Sequence, residues 1–255
     1  MNALSNLYRR AQSEGVVPPG YNPVSALMDK PTGRRVEAAW LETPDAALLL
    51  EAARRPLPPV NGHPTAHAYP LLATFLLTGG RAAEVLGLEV SDVSFDRQTL
   101  TFRPNGFRRL KTQRSHRVVP LWPQLAEVLR PYTDQRVVER GGTLLFPGEG
   151  SAMISDWRKL LDRIAVRAGW QAGEIRSKRF RHTYCAARLQ TLDGGAPVSV
   201  FTVSRELGHS STAMVEKVYS HLGTMRHRSE VVEYRVEQHA ATLGDRLTAL
   251  AGGET

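Results

Sequence analysis

Residues 94–121 read SFDRQTLTFRPNGFRRLKTQRSHRVVPL, and they break the rhythm of the chain around them. Leu100-Thr101-Phe102 and Arg117-Val118-Val119 are strand candidates, rich in threonine, phenylalanine and valine. The stretch between them is strongly basic, with Arg103, Arg108, Arg109, Lys111 and Arg114. This pattern predicts a β-hairpin or a small antiparallel sheet with a positive tip.

On both sides of this segment the period is helical. Upstream, residues 3–14 form an amphipathic helix, and residues 21–36 read as a linker with Pro23, Pro31 and Gly33. Thr43-Pro44-Asp45 starts a second helix, with Thr43 as N-cap and proline in the first turn. Residues 68–77 form an apolar helix that Gly79-Gly80 breaks, and residues 81–88 continue as another. Downstream, helices cover 123–138, 155–168, 178–192 and 198–207. The tail, 228–250, is amphipathic, with Val232, Val236, Ala240, Leu243 and Leu247 on one face. Helices around one small basic sheet predict a mainly helical α+β fold.

The 255 residues suffice for one large domain or two small ones. Lys plus Arg number 33 against 25 acids, a formal charge of +8, which points to a polyanionic partner. Cys185 is the single cysteine, so neither an internal disulfide nor a cysteine-based zinc site can form. It is expected to be a small core residue. MNALSNLYRRAQ at the start has no apolar signal core, and no stretch reaches the apolar length of a membrane span. A cytoplasmic, nucleoid-associated protein is the expectation.

Three further segments carry chemistry. They are Thr78-Gly-Gly-Arg81-Ala-Ala-Glu84-Val-Leu-Gly-Leu88, Lys178-Arg-Phe-Arg181-His182-Thr183, and Leu207-Gly-His209-Ser-Ser followed by Tyr219-Ser-His-Leu. Together with Leu110-Lys111-Thr112 ahead of Val118-Val119-Pro120-Leu121, this order resembles the tyrosine recombinase (phage integrase) family. Each motif alone is weak, and four in the right order are strong. The resemblance covers about 43–222, most of the chain.

The resemblance implies the tyrosine recombinase catalytic-domain fold and cleavage of double-stranded DNA through a 3′-phosphotyrosine, without metal, cofactor or ATP. Attack on a phosphodiester builds an anionic five-coordinate phosphorus, whose charge side chains must hold. Arg81 and Arg181 would clamp the non-bridging oxygens, since a guanidinium grips two oxygens and stays protonated. His209 would hydrogen-bond another phosphate oxygen. Tyr219 would be the nucleophile, its phenolate favoured by neighbouring cations. Lys111 would protonate the leaving 5′-oxygen, or else simply bind phosphate. Lys178 stands where the family more often has histidine, which leaves a phosphate contact and puts a base role in doubt. Arg108, Arg109, Arg114 and Arg179 are expected to contact DNA. Glu84 would orient the site, and His182 is read as structural.

The resemblance also divides the chain. Residues 1–36 would be the last helix of a core-binding domain plus linker, 37–222 the catalytic domain, and 223–255 a tail helix. That tail packs either on its own domain or on a neighbouring protomer of a tetramer assembled on DNA, with a monomer possible without DNA. Two rival readings stay open: a DNA-binding protein or inactive remnant without catalysis, and a type IB topoisomerase.

Overall fold

The computed structural model describes residues 2–27, 39–109, 115–140, 142–193, 196–209, 211–213 and 215–216. Lys111, Arg114, Tyr219 and the amphipathic stretch 228–250 lie outside the described residues. The chain divides into two compact units, Met1–Glu37 and Ala38–Thr255.

The first unit holds helix α1 (Asn2–Ser13). Asn22 donates from Nδ2 to Ser5 Oγ over 3.0 Å, and the Tyr8 and Tyr21 rings meet edge to face at 5.9 Å. These contacts turn the segment after α1 back along the helix.

In the second unit the order is α2 (Thr43–Arg54), α3 (Ala68–Thr78), α4 (Ala82–Leu86), β1 (Val93–Ser94), β2 (Thr99–Phe102), β3 (Arg117–Pro120), α5 (Pro123–Arg140), α6 (Trp157–Arg167), α7 (Ser177–Leu189), β4 (Leu192–Asp193), β5 (Ala196–Pro197) and α8 (Val200–Glu206). This is the expected mainly helical α+β arrangement. Helix α3 is the hub and packs on α2, α5 and α7. Its sequence AYPLLATFLLT has no polar face because nearly all of it is buried. Leu71, Leu72 and Phe75 are wholly buried, and such side chains each contribute about 1.5–3 kcal/mol. Phe75 stacks on Trp157 of α6, with centroids 5.0 Å apart and planes at 13°. Cys185 is buried in a second apolar cluster with Tyr184, Val203 and Leu207, joining α7 to α8.

Strands β1, β2 and β3 form one antiparallel sheet, with Leu100 opposite Val119 and Phe102 opposite Arg117. Side chains alternate across the pleat, so Leu100, Phe102, Arg117 and Val119 are buried while Val118 is exposed. One buried-face position is therefore an arginine.

Several boundaries differ from the sequence expectation. Thr43 is the first residue of α2, not its N-cap; the Glu42 carbonyl already accepts the Ala46 N–H. The helix expected over 81–88 is shorter. Arg81 keeps an extended backbone, and Gly87 ends the helix after Leu86.

The Gly79-Gly80 pair is dictated by packing. Gly79 closes α3 in the left-handed region, φ +60, where a non-glycine residue is strained. A Cβ there would lie 2.7 Å from Tyr184 Cδ1, and one on Gly80 would lie 2.5 Å from Val85 Cγ2 and 2.8 Å from Phe102 Cζ. The turn is thus pressed between α7 and the sheet. Gly79→Ala is expected to destabilise the protein by about 2–4 kcal/mol, the sum of backbone strain and overpacking. Denaturant unfolding measures this, and an unchanged midpoint would contradict the packing described.

Candidate phosphate-binding site

The turn after α3 sets Arg81 at the start of α4. Its Nη1 donates to Glu84 Oε1 over 2.7 Å, and its backbone N–H donates to Glu84 Oε2 over 2.9 Å. The Arg81 side chain is about one-third exposed, whereas Glu84 is buried. Glu84 also accepts from Arg117 Nη2 over 2.8 Å. Burial alone would raise the Glu84 pKa, but the bond and charge of Arg117, aided by Arg81, hold it down at about 2. Glu84 is therefore a permanent carboxylate shared by two guanidinium groups.

Arg181 projects from the first half of α7. Its Nη1 donates to the Gly79 carbonyl over 2.9 Å. Its Nη2 donates to the Leu207 carbonyl and lies 3.0 Å from His209 Nε2. One side chain thus ties the Gly79 turn to the turn that follows α8. Burial first, then the charges of Arg81 and Arg117, lower the Arg181 pKa to about 9. It remains charged at neutral pH. Arg81 and Arg117 share Glu84, and Arg117 and Arg181 hold the successive carbonyls of Glu206 and Leu207, so residues 81, 117 and 181, remote in sequence, border one pocket.

Gly208, at φ +66, turns the chain out of α8 and presents His209. Burial, followed by the charges of Arg181, Arg81, Arg117 and His182, lowers the His209 pKa to about 4. The ring is neutral at physiological pH. Arginine can only donate, so Nε2 is the acceptor and the proton sits on Nδ1. Nδ1 is buried and has no hydrogen-bond partner among the described residues. A buried donor without a partner is costly in the free protein and ready for an acceptor. In ¹⁵N-labelled protein, His209 is expected to stay in the Nδ1–H tautomer from pH 8 to 6. A cationic ring at pH 6 would contradict this geometry.

Lys178 is exposed on the first turn of α7, and Arg179 is half-buried. His182, one turn after Lys178, was expected to be structural only. Burial first, then the Lys178 and Arg181 charges, lower its pKa, and it weighs in turn on His209. It belongs to the same electrostatic cluster.

Among the expected site residues, the structure brings Arg81, Arg181 and His209 together, with Lys178 one turn before His182 on α7. Lys111, Arg114 and Tyr219 lie outside the described residues. Arg109 is exposed. Arg108 requires a correction. Expected at the DNA-contacting tip, its side chain is only 1% exposed. It donates to the Arg103 carbonyl, the Glu84 carbonyl and Asp92 Oδ2. Asn105 causes this by accepting the backbone N–H groups of Phe107 and Arg108 and folding the loop inward. Arg108 is a structural brace.

Sequence reasoning missed Arg117. Its signal was available: Arg117 shares a strand face with Val119, so period two turns both inward. An inward arginine demands partners. Here they are Glu84, the Glu206 carbonyl and the Ser115 carbonyl. Around the pocket, Arg81 and Arg117 share the Glu84 carboxylate and Arg181 has only carbonyl and imidazole partners, which leaves surplus positive charge. The Glu206 carboxylate does not offset it, being engaged by Arg188 at 2.6 and 2.8 Å and by the Tyr184 hydroxyl at 2.9 Å. Such a pocket suits an anionic ester. Among the described residues no group of three or more His, Cys, Asp or Glu side chains could hold a metal ion, and no helix is long and apolar enough to cross a membrane.

Residues 40–226 match the phage integrase family. The chain is 30% identical over 159 residues to tyrosine recombinase XerC of Corynebacterium glutamicum, covering 61% of this chain and 47% of that protein. It is 26% identical over 239 residues to tyrosine recombinase XerD of Brucella suis biovar 1, covering 87% of this chain and 70% of that one. The first of these matches thus spans about half of the relative's length. In three dimensions the chain is similar to a crystal structure of XerA recombinase, with TM-score 0.59 and 20% identity over 86% of this chain and 72% of that one. It is also similar to the Tn1549 transposon integrase in complex with a circular intermediate DNA, with TM-score 0.62 and 17% identity over 89% of this chain and 77% of that one. The fold is therefore that of the tyrosine recombinases, and the chain belongs to the phage integrase family.

Proposed function

We propose that this chain performs site-specific DNA recombination, cutting and rejoining strands through a covalent 3′-phosphotyrosine. One observation carries the reading. Arg81 and Arg181, a hundred positions apart, border one cationic pocket through Glu84, Arg117 and the turn after α8, beside a neutral His209 whose Nδ1–H has no partner among the described residues. Such fixed donors stabilise charge that develops on a transferring phosphoryl group.

In this mechanism Tyr219, having released its phenolic proton to water, attacks the scissile phosphorus as the phenolate. The P–O bond to the deoxyribose 5′-oxygen breaks as the Tyr219–phosphorus bond forms. Lys111 gives a proton to the departing 5′-oxygen. Arg81 and Arg181 hold the non-bridging oxygens, and the His209 Nδ1–H donates to one of them. Lys178 and Arg179, on the same helix turns, add phosphate contacts, as do Arg109 and Arg114 beside the hairpin. The ester energy stays in the phosphotyrosine, so the reverse attack by a 5′-hydroxyl rejoins DNA without ATP.

Under this reading residues 1–36 are the end of a core-binding domain, 37–222 the catalytic domain and 223–255 a tail. The amphipathic tail would hold protomers together in a tetramer on DNA. An apolar groove lined by Trp40, Leu50, Tyr69, Leu76, Trp122 and Val128 supports a helix-docking surface on the catalytic unit. Light scattering of the DNA complex checks this; equal mass with and without residues 222–255 would remove the tail from the assembly.

The decisive test starts from duplexes selected by the protein out of a random library. A nicked version of the selected duplex is incubated with protein in EDTA and without ATP. The reading expects a covalent adduct, stable in detergent, with Tyr219 joined to a DNA 3′-phosphate. Tight binding with no adduct would instead support a DNA-binding protein without catalysis. Relaxation of supercoiled DNA regardless of sequence would support a topoisomerase.

A further inference from the structure

We propose that Arg117 is a positioning residue for DNA cleavage: it locks the two halves of the phosphate pocket and the Ser115 end of β3 in a single register. The inference rests on the recombinase reading and adds a role that none of its motifs contains.

Arg117 opens β3, and its side chain is 5% exposed. Each guanidinium nitrogen has its own acceptor on a different part of the site. Nη2 donates to Glu84 Oε2 over 2.8 Å, and Glu84 holds Arg81. Nε donates over 2.6 Å to the carbonyl of Glu206, the last residue of α8. The next carbonyl, Leu207, accepts from Arg181, and His209 follows two residues later. Nη1 donates over 2.9 Å to the carbonyl of Ser115, the first described residue after the segment that contains Lys111. The Arg117 guanidinium also lies 4.2 Å from the centroid of Phe102, whose ring abuts Gly80. Lysine could not replace this planar fork, because one ammonium cannot reach three divergent acceptors with the same geometry.

Charge gives Arg117 a second duty. Arg117 shares Oε2 with the Arg81 backbone N–H, so the Arg81 guanidinium bonds only Oε1. The Glu84 charge is thereby divided between two guanidinium groups, and Arg81 keeps attraction to spare for a phosphate. Its own charge adds to the pocket and helps keep His209 neutral beside Arg181, Arg81 and His182.

The experiment compares wild type, Arg117→Lys, Arg117→Met and the double variant Glu84→Gln/Arg117→Met on the nicked selected duplex. Single-turnover cleavage, DNA affinity, thermal unfolding and the cleavage pH profile are measured for each. Arg117→Met is expected to cleave about 10²-fold more slowly, the size of effect a small misplacement produces, with affinity changed less than about threefold. Its low-pH limb should move upward, since one of the charges opposing His209 protonation is gone. Arg117→Lys should lose about tenfold by the same logic and keep that limb near its wild-type position.

The double variant separates positioning from mere folding. It removes both members of the buried Arg117–Glu84 pair and leaves only the part-exposed Arg81 without its carboxylate, so no buried charge is stranded. Recovered stability with cleavage still slow supports the proposal, and this arm serves even if Arg117→Met alone does not fold. Wild-type cleavage by Arg117→Lys, or recovery of stability and cleavage together in the double variant, would overturn it. If wild type itself forms no adduct, the recombinase reading fails and takes this inference with it. An active wild type alongside equally active Arg117 variants sinks the positioning role alone.

Discussion

Tyr219→Phe is expected to lower covalent adduct formation by more than about 10⁴-fold, the scale on which loss of a nucleophile acts. The substitution removes one oxygen and leaves the ring. Packing and DNA affinity should therefore stay within about twofold of wild type. Gel analysis of the nicked duplex gives the first quantity and fluorescence anisotropy the second. The contrast matters because both readings, enzyme and binder, predict intact binding. Only the enzyme loses a bond. An adduct that survives Tyr219→Phe would assign the nucleophile elsewhere and remove the L-G-H-to-tyrosine spacing as a guide to it.

Arg181→Ala carries the second large effect. Removing one fixed donor to a developing oxyanion costs about 10²–10³ in rate. Arg181 also holds the Gly79 and Leu207 carbonyls, so its loss loosens both turns that border the pocket. Single-turnover cleavage is expected to fall by about 10³ with a smaller change in affinity. Arg181→Lys should recover little. Lysine keeps the charge but cannot serve a carbonyl, a second carbonyl and His209 while still facing a phosphate. Loss of affinity with an unchanged cleavage step would show that Arg181 binds substrate and transition state alike.

Two of the motifs were legible because they sit where the chain must turn. Gly79-Gly80 marks a junction in which a Cβ has no room, and the arginine after it lands at the site. Gly208 does the same for His209. Arg181 could be matched by pattern, but its hold on two distant carbonyls depends on packing that sequence spacing does not show. The mainly helical fold and the small sheet followed from the change of period around Leu100 and Val119.

What escaped the sequence were the inward charges. Arg108 and Arg109 look alike as a basic pair, yet only Arg109 is exposed. The difference lies in Asp92, sixteen positions earlier, and in the Asn105 turn that delivers Arg108 to it. Arg117 was read as part of a strand and not as a guanidinium in need of acceptors. Its partners, Glu84 and Glu206, come from α4 and α8, which only the tertiary fold brings to β3. Helix ends were off by a residue or more where backbone geometry overrode side-chain preference, as at Thr43 and Gly87.

A double-mutant cycle on Arg81 and Arg181 tests most directly whether both guanidinium groups serve one phosphate. Cleavage of the nicked duplex is measured for Arg81→Ala, Arg181→Ala and the pair. Groups that act as a unit lose far less together than the product of their single losses. The expected double variant is therefore at least about tenfold faster than that product. A rate equal to the product would mean that the two arginines act independently, and the shared-phosphate account would be wrong.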